Sequence, residues 1–300
     1  MNDLTQFLTA AILSFCLLAA ILPLLKSQLL DLPNFRSSHA IPTPRGGGLA
    51  FVLVGTLMTY LFGSENHRLI PVFCLPLAFA GLVDDVRSVP ALWRYITQLL
   101  TAIGLVSVTG LSLTFAERVL LVVVITAIIN FINFMDGIDG LVAGCGVLML
   151  AGVSSWSLAG SLLGFLFWNW SPAKVFMGDV GSTFIGGVFG GLIIQETSFV
   201  SFIQLFLLAF PLFMDAATCV IRRLAYGRNI FSAHRQHLFQ RLVQAGWSHR
   251  KVSLLYIAGS LLLLITKESG GIIAMGICIV FESAVAIYLD RRIAIKFESA

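Results

Sequence analysis

Residues 116–140 read AERVLLVVVITAIINFINFMDGIDG. Through residue 132 the side chains are almost continuously apolar, with no polar stripe at the helical period. A helix that is apolar all round has to be surrounded by apolar material, in a large core or in a bilayer. The stretch then closes on Asn130, Asn133, Asp136 and Asp139, spaced three apart, while Gly137 and Gly140 interrupt the helix. One buried helix therefore delivers four polar side chains to its end.

Working outward, the rest of the 300-residue chain has the same character. It is 58% hydrophobic and 11% charged, with a mean hydropathy of +0.93. Soluble domains carry about 25% charged residues, so this chain has too little polar surface for a soluble enzyme, a disordered protein or a disulfide scaffold. Apolar runs recur near 4–25, 47–63, 69–83, 92–113, 116–132, 140–154, 156–170, 182–196, 199–220, 252–266 and 271–289. A crossing takes about 20 residues, and 69–83, 140–154 and 156–170 are short for one. The last two are either a pair of short helices joined at residues 154–156 or one long tilted helix. The expectation is an all-α polytopic membrane protein, a single domain over 1–300. It has about 11 transmembrane helices, or 10 on the tilted-helix alternative, with catalytic cytoplasmic loops.

Alternating sides groups the loops 26–46, 84–91, 133–139, 171–181 and 221–251 with the tail from 290. With Arg94, which opens its helix, these hold 16 of the 19 Lys and Arg. Basic loops stay on the inner side. The expected location is a bacterial inner membrane, with the N-terminus outside and the C-terminus cytoplasmic. The N-terminus lacks the basic segment of a signal peptide. Cys16, Cys74, Cys145, Cys219 and Cys278 lie inside apolar runs without a CxxC pair and read as small core residues. Nothing in the sequence points to nucleic acid.

Five inner segments carry chemistry. Residues 37–48, SSHAIPTPRGGG, end in three glycines that let backbone approach a ligand, beside the cation Arg45; a plain linker is the alternative. Asp84 and Asp85 end an apolar helix, where like-charge repulsion and the helix dipole both disfavour acids, and Arg94 opens the next. A divalent cation would relieve that cost. The Asn130, Asn133, Asp136, Asp139 series is the third and densest. In the fourth, Lys174 precedes Asp179, an acid between Gly178 and Gly181 at a helix start. That position suits a metal–phosphate pair, although an ordinary N-cap explains it equally well. The fifth contains His234, Arg235, His237 and Arg241, a set suited to a diphosphate. Leu238, Phe239, Leu242 and Val243 form an apolar stripe opposite Gln236, Gln240, Arg241 and Gln244, as in a helix lying on a membrane. A zinc site would need further Cys or His nearby, and the sequence places none beside these two histidines. Asp215 lies inside an apolar run. It reads as a structural acid partnered by Arg222 or Arg223, with site membership as the alternative. Carboxylates beside many cations describe metal-assisted phosphoryl transfer between a lipid phosphate and a charged soluble donor.

Five strings carry a resemblance: residues 44–47 (PRGG), 81–85 (GLVDD), 130–141 (NFINFMDGIDGL), 176–182 (FMGDVGS) and 234–242 (HRQHLFQRL). In this order they resemble the polyprenyl-phosphate N-acetylhexosamine-1-phosphate transferases, a glycosyltransferase family 4 type. The resemblance implies Mg²⁺, with Mn²⁺ as a substitute. It also implies transfer from a UDP-N-acetyl-sugar to undecaprenyl phosphate with release of UMP, in the bilayer, by a monomer or a homodimer. Carried over by position, Asp179 and Asn133 bind metal, and Asp84 and Asp85 are catalytic, handling the lipid phosphate or positioning the metal. Asp136 and Asp139 meet nucleotide or sugar, and Asn130 and Lys174 line the substrate. Arg94 binds phosphate, and His237 clamps the diphosphate with His234, Arg235 and Arg241 around it. Direct in-line attack is the expected route, with a covalent Asp route left open.

The fifth string departs from the family's Asp-Arg-x-His-Leu-His-His: His234 replaces the acid, and Phe239 and Gln240 replace two histidines. Residues 91–94 and 176–182 are most similar to the O-antigen-initiating branch that uses N-acetylfucosamine-type or related 6-deoxy sugars. The rival readings are a CDP-alcohol phosphatidyltransferase, whose Asp-Gly motif requires an Arg and two further Asp absent after Asp139, and a transporter. A transporter places its acids at mid-membrane, where only Asp215 and Glu282 qualify.

Overall fold

The computed structural model describes residues 1–33, 41–229, 232 and 234–299. Residues 37–40 of the first loop, including His39, lie outside the described residues. In chain order the elements are α1 (Asp3–Gln28), β1 (Leu30–Asp31), β2 (Thr43–Pro44), α2 (Gly48–Phe62), α3 (Ile70–Phe73), α4 (Leu75–Val86) and α5 (Ala91–Ser107). They continue with α6 (Phe115–Met135), α7 (Leu141–Gly152), α8 (Trp156–Asn169), α9 (Asp179–Ile193) and α10 (Phe199–Leu207). The last are α11 (Phe210–Ala225), α12 (Leu238–Gln244) and α13 (His249–Arg292), followed by a 3₁₀ turn at Phe297–Ser299. The described chain is helical apart from the antiparallel β1–β2 pair, which matches Leu30 with Pro44 and Asp31 with Thr43. That pair closes the first loop and was not foreseen.

The quoted stretch is α6. It opens with a capping box in which the Thr114 side chain and Glu117 satisfy each other's backbone N–H. Its last two turns already carry Asn130 and Asn133, and the helix ends at the C-cap Asp136.

The centre of the bundle is α9, in which every residue from Val180 to Ile193 is buried. Its glycines explain how neighbours come so close. A Cβ on Gly186 would lie 2.6 Å from the Ile129 Cα of α6, and one on Gly187 would lie 2.5 Å from Leu77 of α4. Small residues at such crossings let backbones meet, which drives helix association where lipid removes the usual hydrophobic advantage.

The expectation of about eleven helices of crossing length is not met element by element. Three helices, α1, α6 and α13, are long and apolar enough, and α10 with α11, bent by 78°, makes a fourth. The apolar runs nevertheless match the elements in order. Residues 140–170 form two helices, because Ser154 adopts a left-handed φ of 57° between them. A Cβ on Gly146 would lie 2.7 Å from Leu162, so α7 and α8 fold back on each other. Likewise α13 holds both of the last apolar runs and reverses at Gly271, where φ is 63°. Gly259 and Glu282 face each other across that hairpin, 3.3 Å from a built Cβ to Oε1. The chain is a polytopic membrane protein.

Asp3, Ser64, His67 and Ser154 line one cavity at one end of the bundle. The motif-bearing loops meet at the other.

Candidate active site

Four of the five motifs converge on the first turn of α9. Gly47 and Gly48 donate N–H groups to the Phe176 and Met177 carbonyls at 3.0 and 2.9 Å. A Cβ on Gly48 would meet Gly181 Cα at 2.6 Å, and one on Gly81 would meet the Asp179 backbone at 2.4 Å. The expectation that residues 46–48 bare their backbone for a ligand is corrected here. Their lack of side chains is used for packing against residues 176–181. Gly178, at φ 75°, lies so close to Asp85 that a Cβ would sit 2.3 Å from its Oδ2; the turn takes only glycine.

The two adjacent acids divide their work. Asp85 is 4% exposed, and its oxygens accept the backbone N–H groups of Asp179 and Val180, each at 3.2 Å. It therefore caps α9, satisfying donors that a helix start leaves free. Arg45 lies within electrostatic reach of it. Asp84 faces the site: Oδ1 accepts from Val89 N at 2.6 Å and Oδ2 from Arg94 Nη1 at 3.0 Å.

Arg94 Nη1 also reaches Asp179 Oδ2 at 3.4 Å, so one guanidinium bridges two carboxylates. Asn133 Nδ2 donates to Asp179 Oδ1 and to Ser182 Oγ, both at 2.9 Å. Asp136 follows one turn later. Burial first, then the negative charges of Asp179 and Asp85, push its carboxyl up to about 8. Asp179 is thus set against the negative charges of Asp84, Asp85 and Asp136, with Arg94 shared between Asp84 and Asp179, and the donors of all four acids are oxygens. That set fits a hard divalent ion such as Mg²⁺.

The other two members of the third motif take different partners. Asn130 donates to Gln98 Oε1 and to Thr126 O, each at 2.8 Å, on the wall of a small cavity shared with Arg94, Asn133 and Asp179. Asp139 pairs with His249 at 3.2 Å and accepts from Ala173 N at 3.2 Å, while its carbonyl accepts from Ser253. Burial works against its charged form, but His249 outweighs it and holds the carboxyl below the usual range. One carboxylate oxygen of Asp139 thus ties α13 to the motif and the other ties the segment before α9 to it. Lys174 is exposed, with Nζ 5.4 Å above the Trp168 ring.

The His loop joins this end from the other side. A Cβ on Gly137 would touch the Phe239 ring at 2.8 Å, and the His237 ring lies 6.3 Å from that of Phe134. Residues 238–244 are helical, as the apolar stripe predicts, but Leu238, Phe239 and Leu242 are buried in protein and not laid on lipid. The helix is pinned by Asp215, which accepts from Leu238 N at 2.7 Å, Phe239 N at 3.0 Å and Tyr256 Oη at 2.7 Å. Asp215 is thus structural, but its partners are these groups and not Arg222 or Arg223. Arg222 pairs with Asp290, and Arg223 holds Gln236, Ser232 and the Asn229 carbonyl.

His237 is 4% exposed, and its Nδ1 stands 3.6 Å from Asp215 Oδ1. Desolvation opposes its charge, yet Asp215, with Cys219, raises it to about 9. The half-buried His234, 5.1 Å away ring to ring, is lowered to about 4 by burial and by the charge of His237. The loop therefore carries one cationic and one neutral imidazole. Arg235 sits between them in the chain. Arg241 has another task than substrate: it binds Asp290, the Ile295 carbonyl and the Gln236 carbonyl. Its guanidinium also lies 5.7 Å over the Phe297 ring. Gln236 completes this clasp by donating to the Phe297 carbonyl at 3.0 Å.

The expectation that no Cys stands near these histidines is corrected. Cys219 of α11 lies with His234 and His237 so that the donor atoms of all three fall within 4.8 Å. The fold brings it there from a separate apolar run. His249, Gln98 and Tyr256 were also missed. Gln98, a lone amide in an apolar run, was the one visible signal.

Residues 68–197 match the family described as glycosyl transferase family 4. The chain is 31% identical over 272 residues to a probable undecaprenyl-phosphate N-acetylglucosaminyl 1-phosphate transferase of Bacillus subtilis (strain 168), covering 78% of this chain and 75% of that one. It is 30% identical to an undecaprenyl-phosphate alpha-N-acetylglucosaminyl 1-phosphate transferase of Yersinia pestis, over 80% of this chain and 77% of the other. A protein of the same description from Thermotoga maritima is also 30% identical, over 73% and 75%. An acid cluster bridged by arginine at one end of a helical membrane bundle, with these relatives, defines a membrane phosphotransferase. The chain belongs to glycosyl transferase family 4 and is a polyprenyl-phosphate sugar-1-phosphate transferase. That membership decides against the transporter and CDP-alcohol readings.

Proposed function

We propose that the chain transfers an N-acetylhexosamine 1-phosphate from a UDP-sugar to undecaprenyl phosphate, with release of UMP, at the cytoplasmic face of a bacterial inner membrane. The observation that carries this reading is the convergence of Asp84, Asp179, Arg94 and Asn133 on one point, with Asp136 beside them. In this reading the described apolar runs cross the membrane eleven times, the N-terminus is outside and the tail is inside.

Asp179 and Asn133 would hold Mg²⁺, with Asp84 and Asp136 close enough to contribute. An ion held there would supply charge neutralisation to the donor's diphosphate and would polarise its phosphorus–oxygen bonds. Arg94 orients the acceptor phosphate between Asp84 and Asp179. A phosphate monoester is largely ionised at pH 7, its second pKa being about 6, so its oxygen attacks the β-phosphorus without a strong base. The protein's contribution is alignment and charge compensation. His237 donates a charge-assisted hydrogen bond to the diphosphate, and its pairing with Asp215 keeps it protonated. Arg45, Lys174, His234 and Arg235 stand around the donor. Asp85, Asp139 and Arg241 build the scaffold that holds these groups.

The relatives' descriptions name N-acetylglucosamine, whereas residues 91–94 and 176–182 resemble the branch using N-acetylfucosamine-type sugars for O-antigen. A panel of UDP-N-acetyl-sugars with purified protein, undecaprenyl phosphate and Mg²⁺, read as lipid product by mass, distinguishes them. Failure to release UMP from every donor would overturn the reading. Labelling of intact cells tests topology: a cysteine at Glu65 should react and one at Arg292 should be protected.

A further inference from the structure

Where α11, α12 and the returning half of α13 meet, two openings run into one another. One is a cavity of about 230 Å³ whose wall includes Arg222, Arg241, Asp290, Arg291 and Ser283. The other is an apolar groove of about 170 Å³ along Pro211, Leu262, Phe281 and Leu289. Met214, Leu238 and Ala286 line both, so a polar chamber continues directly into an apolar channel. The outer walls face lipid: Phe281 and Ile287 are more than half exposed, at 61% and 53%.

The chamber has cationic capacity to spare. Asp290 holds Arg222 and Arg241, and Asp215 is taken up by α12, Tyr256 and His237. Arg291 is exposed and makes no ion pair among the described residues. Of the wall's three guanidiniums, Arg222 and Arg241 share Asp290, and Arg291 is left without a carboxylate among the described residues. The single acid in the groove, Glu282, accepts from Cys278 Sγ at 3.3 Å.

We infer that this composite site holds one anionic phospholipid of the inner leaflet. Its phosphate lies against Arg291 and Arg222 beside Ser283, and one acyl chain lies in the groove. Basic recesses between helices on the cytoplasmic side take anionic headgroups, because surface potential and guanidinium geometry both favour phosphate there. The side of the membrane rests on the topology proposed above; the pairing of chamber and groove does not. The occupant is not the acceptor substrate, since that phosphate must reach Asp84 and Asp179. The cavity beside Asp179 shares no lining residue with this one. A phosphate on Arg222 and Arg291 braces the Asp290 junction and, through Arg241, the His loop.

The test uses the full chain in nanodiscs of phosphatidylcholine with or without phosphatidylglycerol, read by native mass spectrometry of retained phospholipid and by Tm. The expected result is one retained phosphatidylglycerol and a higher Tm with it. Retention should fall about tenfold in Arg291→Glu, in line with reversal of one interfacial charge, and survive in Arg291→Lys. Ala286→Phe, which fills the mouth shared by the two openings, should give the same loss without changing charge. Equal retention of both phospholipids, or retention unchanged in Arg291→Glu and Ala286→Phe, would overturn the inference. So would displacement of phosphatidylglycerol by excess undecaprenyl phosphate, which would make this the acceptor's own site.

Discussion

Asp215 and Asp179 are the same residue type at the same end of the bundle, and they keep different company. Asp215 accepts two backbone N–H groups and a tyrosine hydroxyl, with an imidazole 3.6 Å away. Asp179 receives one amide and half of a guanidinium, and faces Asp84 and Asp136. A buried carboxylate costs several kcal/mol unless it is fully paired. Asp215, like Asp139, meets that cost within the protein and so acts as scaffold, whereas Asp85 caps α9 with its carboxyl still pushed up to about 7 by burial and by Asp179. Asp179 leaves it unmet until a cation arrives. Acids that share one guanidinium and repel one another, and not acids saturated by their own donors, identify the chemistry.

The most severe way to break this comparison is Asp179→Asn. Asparagine still starts the helix, so the protein should purify with little change in Tm, while kcat falls by three or more orders of magnitude. Near-normal turnover across a Mg²⁺ titration would reduce Asp179 to a structural acid that only holds Asn133 and Arg94 in place.

Next in size is His237→Ala, expected to lower kcat/KM for the donor by about 10²-fold or more, with His234→Ala losing less. His237 is buried against Asp215, so its removal strips an acid of a partner and should also lower Tm. An enzyme with normal donor kinetics after His237→Ala would move this loop out of the site.

The His237–Asp215 pair also gives a pH signature. The imidazole is raised from 6.5 to about 9. A raised histidine contributes stability that is complete below 6.5 and is lost as pH climbs through about 9. Both Tm and donor affinity should therefore decline between pH 7 and 10, and His237→Gln should flatten that portion of the curve. A flat wild-type profile over this window would mean the pair is not ionised.

The smallest effect belongs to Lys174→Ala. Its ammonium is exposed above Trp168, and exposed charges are worth little. A change in donor KM of less than about threefold is expected. A loss as large as that of His237 would bring Lys174 into the clamp and enlarge the site.

The site's outline was legible because the residues that meet are concentrated in short motifs. Asn133 and Asp136 come from one helix end, and Asp179 from one glycine-bounded turn. The division of labour within each motif was not legible. Asp84 and Asp85 are adjacent in sequence, but one faces the site and the other caps α9, and only the packing of α4 on α9 decides which. Asp139 was read with Asp136 because of its spacing, until His249 of a distant helix claimed it. Helix order followed from the apolar runs, whereas helix length did not. A left-handed Ser154 and a reversal at Gly271 are backbone events that hydropathy cannot register.

The clasp at the C-terminus bears on how the protein is handled. The Phe297 ring is 5% exposed, stacks on Tyr226 at 5.8 Å and is overlaid by Arg222, Arg228 and Arg241. A histidine tag or fluorescent fusion placed after Ala300 would hang from the segment that holds Gln236 and Arg241, and through them the His loop. Its weight and charge would act on the donor side of the site. The same tag placed before Asn2, at the far end of α1, would leave that clasp alone. Activity compared between the two fusions would then report on tag position before it reported on any substitution.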